Sequence, residues 1–132
     1  MLTRVPSRFP PEMEAIITRT IGCAIRVHRA VGPGFTEGVC HDALQIELTA
    51  EGLLWKRKYA VSVLYRDQPT RRQELDLVVD GFIVVEIKAV ERLHPVHVAQ
   101  ILSYMKAARL PVGLLMNFNT PLLKSQLCRF VL

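Results

Sequence analysis

The sequence predicts an α/β fold in which helices flank a mixed sheet, in the order helix, helix, three strands, helix, strand and a short tail. Three observations carry this. Two stretches with helical apolar spacing come before the first β-rich run, and an apolar run from Leu77 to Val85 is broken only by Asp80-Gly81. A further helical stripe then separates that hairpin from the next strand. A helix in that position demands a right-handed crossover, and so a parallel pair inside an otherwise antiparallel sheet.

The elements follow in order. After Pro10-Pro11, the residues Met13, Ile16, Ile17, Ile21, Ala24, Ile25 and His28 recur at helical spacing and stop before Gly32-Pro33-Gly34. Thr36 can cap a second helix running to Ala50 or Glu51, with Leu44 and Leu48 on one stripe and Gly52 as its stop. The two helices should form a hairpin. Trp55 to Tyr65 alternates as a strand, and Asp67 to Thr70 ends it. Leu75 to Val79 and Phe82 to Ala89 are the next two strands, completing a meander. Pro95 opens a helix to about Ala108 with the stripe Val98, Ile101, Leu102 and Met105, closed by Arg109-Leu110-Pro111. Val112 to Phe118 is the fourth strand, Asn119-Thr120-Pro121 a turn, and Leu127 to Leu132 a last strand.

At 132 residues the chain is expected to be one domain spanning 1–132, with little room for an accessory module. Half the residues are apolar, which excludes a disordered or low-complexity chain. Lys and Arg exceed Asp and Glu by 17 to 12, a net charge of +5 that favours a polyanionic partner. Cys23, Cys40 and Cys128 are widely spaced with no CxxC, so neither a disulfide framework nor a zinc or iron-sulfur site is expected. That usage fits a reducing cytosol. Met1 to Met13 carries Arg4 and Arg8 but no apolar leader core, and no stretch reaches the ~20 apolar residues of a membrane span. The expectation is a soluble cytoplasmic protein without a membrane partner.

Chemistry concentrates in the hairpin. Asp76 stands ten residues ahead of Glu86-Ile87-Lys88, placing three charges where a buried hairpin is expected. Two carboxylates on neighbouring strands can hold a hard divalent cation, and a lysine two residues past the second projects to the same side. Such a group suits phosphodiester hydrolysis. Register decides whether it forms. A two-residue Asp80-Gly81 turn would pair Val79 with Phe82 and put Asp76 on the face opposite Glu86. A three-residue loop pairs Val78 with Phe82 and Asp76 with Val84, sharing one face with Glu86 and Lys88 and collecting Leu75, Leu77, Ile83, Val85 and Ile87 on the other. That loop, or another register of the same parity, is expected. Val78, Phe82 and Val84 would then cover the charged face, with Glu74 adding a carboxylate.

Gly34-Phe35-Thr36-Glu37 at the head of the second helix, Asp76, Glu86-Ile87-Lys88, and Gln100-x-x-x-Tyr104 in the third helix complete the pattern. In this order, on an αβββαβ plan preceded by an extra N-terminal helix, they resemble the PD-(D/E)XK nuclease superfamily, and Gln-x-x-x-Tyr resembles its RecB-like branch. More closely, the chain is similar to the small bacterial family of GxxExxY proteins. The likeness runs from Ile16 to Val131 and includes Gly32-Pro33-Gly34, His97-x-x-Gln100 and Leu115-Met116-Asn117-Phe118-Asn119. One position departs: the motif's tyrosine is Cys40 here. The resemblance implies a Mg²⁺- or Mn²⁺-dependent nuclease acting on DNA. Asp76, Glu86, Glu37 and the Ile87 carbonyl would serve the metal, and Lys88 the attacking water. His97, Gln100 and Tyr104 would face the nucleic acid.

Each residue also has a plainer reading. Glu37 suits the first turn of any helix by its charge, although a carboxylate heading the Leu44/Leu48 stripe needs a partner. The hairpin charges could be a solvated face with cross-strand pairs worth about 0.2–1 kcal/mol each. Gln100 and Tyr104 could be an ordinary helix flank, His97 structural, and Cys40 a packed helix residue. Lys56-Arg57-Lys58, Arg71-Arg72, Arg92 and Lys106 could simply solubilise, or could track a phosphate backbone. Two other functions share this fold: a nucleic-acid-binding or regulatory module without turnover, and a homodimeric interaction scaffold.

Overall fold

The computed structural model describes residues 7–132, so Arg4 and the rest of the leader reading over residues 1–6 lie outside the described residues. Helix α1 spans Pro11–Val31 and α2 Glu37–Ala50; strands β1 (Trp55–Tyr65), β2 (Gln68–Val79) and β3 (Ile83–Lys88) follow. Then come α3 (Pro95–Ala108), β4 (Val112–Asn117), a short 3₁₀ turn at Leu123–Gln126, and β5 (Leu127–Val131). The five strands lie side by side in chain order, with β3 and β4 parallel and the other neighbours antiparallel. The expected parallel pair is present.

Local chemistry sets the element ends. Proline at the first turn starts α1 and α3, where its missing N–H has no intrahelical partner to lose. At the end of α2, Leu53 N–H donates to the Leu48 carbonyl and Gly52 N–H to Thr49, a Schellman closure with Gly52 at φ 78°. Thr36 does precede α2, but its side chain makes no capping bond. Arg109 closes α3 in the left-handed conformation.

The sheet separates two apolar layers. Ile17, Cys23, Ala24 and Val27 of α1 and Cys40, Leu44 and Leu48 of α2 pack on Leu77, Val79, Ile83, Val85 and Ile87. On the other side, Ile101 and Met105 of α3 pack on Val61, Val78, Val84 and Leu115. Strands β3 and β4 are therefore covered on both faces, as a parallel pair requires. Glu86 is carried into this buried environment with its strand. No helix among the described residues is long and apolar enough to cross a membrane.

Three details differ from the sequence expectations. Strand β2 begins at Gln68 rather than Leu75, because Arg66 and Asp67 both take positive φ (50° and 61°) and close a two-residue turn between Tyr65 and Gln68. The Asp80-Gly81 loop pairs Val79 with Ile83 and Val78 with Val84, where Val78 with Phe82 was expected. Parity is preserved, but Phe82 becomes the extra residue and packs in the α1/α2 layer. Leu75 joins Val78 in the α3 layer rather than following Leu77. Strand alternation thus slips at Asp76, across from Lys58, whose φ is 52°.

Candidate active site

Asp76 and Glu86 meet because of the hairpin register. The β2–β3 ladder ends at Leu77–Val85, and Asp76 and Glu86 are the next residues on the two strands. Glu86 is 2% exposed and its Oε1 has no hydrogen-bond partner. Burial, reinforced by the negative charge of Asp76 and opposed by Lys88, pushes its carboxyl up to about 8. Asp76 is shifted the other way. His41 beside it holds the Asp76 carboxyl below the usual range against the effect of burial, with the neighbouring Glu86 and Lys88 side chains acting in the same direction. One carboxyl is thus shifted up and its neighbour down, as closely placed acids are.

His41 was not anticipated from the sequence. It lies one turn after Glu37 on the same face of α2, is 4% exposed, and sets Nε2 3.7 Å from Asp76 Oδ2. That distance gives an electrostatic contact, too long for a hydrogen bond, and both ring nitrogens lack hydrogen-bond partners. A buried polar ring costs stability unless something binds it. The available signal was the spacing: Glu37 and His41 head the stripe continued by Leu44 and Leu48.

Lys88, two residues past Glu86, donates from Nζ to Gln100 Oε1 at 2.9 Å, and Gln100 Nε2 donates to Tyr104 Oη at 3.0 Å. The i, i+4 pair on α3 therefore steers the ammonium. Burial raises the Tyr104 phenol, with the Glu86 and Asp76 charges adding to the shift. Beside this chain a shallow cleft is lined by Lys88, Val96, His97, Ala99, Gln100 and Ser103. His97 accepts the His94 N–H on Nδ1 at 2.9 Å, bracing the start of α3. Burial and the Lys88 charge lower its pKa. Glu37 accepts the Ala89 N–H at 3.4 Å, just past Lys88.

The structure thus gathers Asp76, Glu86, Lys88, Gln100 and Tyr104, with Glu37 and His97 at the margin. Among the described residues no three His, Cys, Asp or Glu side chains already form a closed cage for an ion. The donors nonetheless suit a divalent cation: hard carboxylate oxygens on two neighbouring strands, one of them buried and orphaned. Asn117 is a second residue whose role was unanticipated. Fully buried, it accepts the Val90 and Asn119 N–H groups on Oδ1 and donates to the Val90 carbonyl, pinning the chain that leaves Lys88. Cys40 lies in the α1/α2 layer, fully packed, as expected of a helix core residue.

The sequence matches, over residues 14–130, the family model described as the PD-(D/E)XK nuclease superfamily. No curated protein and no solved structure matches it.

Proposed function

The chain belongs to the PD-(D/E)XK nuclease superfamily, and on that premise we propose that it is a Mg²⁺- or Mn²⁺-dependent deoxyribonuclease. Asp76 and Glu86, with the Ile87 carbonyl, would hold the cation, and Glu37 would orient the surrounding shell. His41 positions Asp76. The bound cation supplies positive charge against the phosphate oxygens and acidifies adjacent water. Lys88, fixed by Gln100, orients the attacking water and meets charge developing on the phosphate, while Tyr104 braces Gln100. His97 and the adjoining cleft contact the nucleic acid. Water adds to phosphorus, the phosphodiester bond breaks, and the leaving oxygen takes up a proton. Within the superfamily we assign the chain to the RecB-like branch as a GxxExxY-type protein, on Gly34, Glu37 and the Gln100/Tyr104 pair; a cytoplasmic location is part of the same reading.

One observation carries the reading: a buried, unpartnered Glu86 oxygen beside Asp76, on the strand that presents Lys88 to Gln100. Asp76→Asn and Glu86→Gln should each abolish metal-dependent cleavage and weaken Mn²⁺ binding in calorimetry. Lys88→Ala should keep the metal and lose turnover. Unchanged Mn²⁺ affinity in both carboxyl variants would refute the metal assignment. Failure of the wild type to cleave plasmid, linear and single-stranded DNA with either metal would refute the activity.

A further inference from the structure

Strands β1 and β2 continue far past the rest of the sheet. The paired positions of β2 with β3 are Leu77 to Val79, whereas β1 and β2 stay paired out to Tyr65 and Gln68. Every residue from Ser62 to Glu74 is exposed, so this segment is a two-stranded ribbon with solvent on both faces. An isolated two-stranded hairpin is at best marginally stable in water. This one carries Arg66 at its turn and Arg71 and Arg72 on β2, none with an ion-pair partner among the described residues, and Lys56 and Lys58 lie at its base. The same strand runs on through Asp76 to its end at Val79. At ~3.3 Å per residue, Gln68 to Asp76 covers ~26 Å, most of the ~34 Å of one duplex turn.

We infer that this ribbon is a duplex-DNA arm that lies along the substrate and carries its phosphate chain to Asp76, a reading that rests on the nuclease assignment above. A two-stranded ribbon fits the ~12 Å major groove of B-form DNA, whereas the deep, narrow major groove of an RNA duplex excludes it. Single strands are gripped by rows of stacking aromatics. The exposed part of the ribbon offers one, Tyr65. Pairing with a second copy through the β1 edge is opposed by Lys56 and Lys58 and by the register shift between Ser62 and Leu64, and through the uncovered stretch of β2 by Pro69, features that blunt strand edges.

The test compares a duplex of two helical turns with a single strand of equal length. Binding to wild type, the triple variant Arg66→Ala/Arg71→Ala/Arg72→Ala, and Lys124→Ala is titrated across salt without divalent metal. The wild type should prefer duplex. The triple variant should lose on the order of tenfold or more in duplex affinity at moderate salt, with the slope of log affinity against log salt reduced by about 2–3. Lys124→Ala, an exposed cation on the 3₁₀ turn away from the ribbon, should bind duplex as wild type does. An unchanged slope in the triple variant, with circular dichroism showing the wild-type fold, would overturn the inference. So would equal affinity for single strand, or a wild-type dimer that the triple variant dissociates. Salt-dependent duplex binding through the arm with no cleavage under any metal would uphold the arm while refuting the nuclease reading.

Discussion

At the scale of single residues, Glu86 links the site to stability. Its carboxyl ordinarily titrates near 4.5 and in the folded protein near 8. Between these values the native state keeps a proton that the unfolded chain releases. The contribution of the neutral carboxyl is therefore complete below the lower value and is lost as pH rises through the upper one. Asp76, shifted down, contributes oppositely, its share vanishing only as pH falls through its lowered value. The melting temperature of metal-free protein should thus fall between about pH 5 and 9, by an amount that reflects a few kcal/mol at most. Glu86→Gln should flatten the profile, and Mn²⁺ should raise the wild-type melting point most at the alkaline end, where the carboxylate is ready to bind. Scanning calorimetry across this range checks the sign; a wild-type profile that rises with pH would remove Glu86 as a buried protonated acid.

At the scale of elements, α3 is positioned by its contact with β4, and that contact is close. A Cβ added at Gly113 would stand 2.5 Å from Met105 Sδ and 3.1 Å from Ile101 Cδ1. Met105 and Ile101 are fully buried and have little room to give. Gly113→Ala should cost about 1–3 kcal/mol by overpacking, visible in denaturant midpoints. It should also displace the helix face bearing Gln100 and Tyr104, so turnover should fall while Mn²⁺ affinity, set on β2 and β3, stays near wild type. Equal losses of both would mean that α3 does not position Lys88 independently of the metal ligands.

Over the whole molecule, local stability should follow burial. Strands β3 and β4 are buried almost throughout on both faces, whereas Ser62 to Glu74 is wholly exposed. Amide exchange should accordingly be slowest in Val84, Val85, Leu114 and Leu115, approaching global unfolding, and fastest in the ribbon, where opening exposes no core. Exchange measured by mass spectrometry, with and without duplex DNA, checks this and shows whether the ribbon becomes protected on binding. Comparable protection in free ribbon and central strands would contradict the two-layer account.

Much of this organisation was legible in the sequence because it is set locally. The period of apolar residues placed α1, α2 and α3, the prolines set the starts of α1 and α3, and Gly52 set the end of α2. The two-layer burial demanded by Leu77 to Val85 favoured one register parity, and the observed pairs have it, although the slip at Asp76 takes that residue out of the simple alternation. The expectation for β2 failed because Arg66-Asp67 lacks the glycine or asparagine that usually marks a two-residue turn, and the polar stretch after it gave no periodicity to follow. Only the tertiary structure brought His41 to Asp76, moved Leu75 to the α3 layer, made Phe82 the extra residue, and left the β1–β2 ribbon uncovered. Each of these depends on where distant segments end up in space, through small backbone departures such as the positive φ at Lys58 and Asp80. A sequence period reports which side of its own element a residue takes; which other element meets it there is decided by packing across the chain.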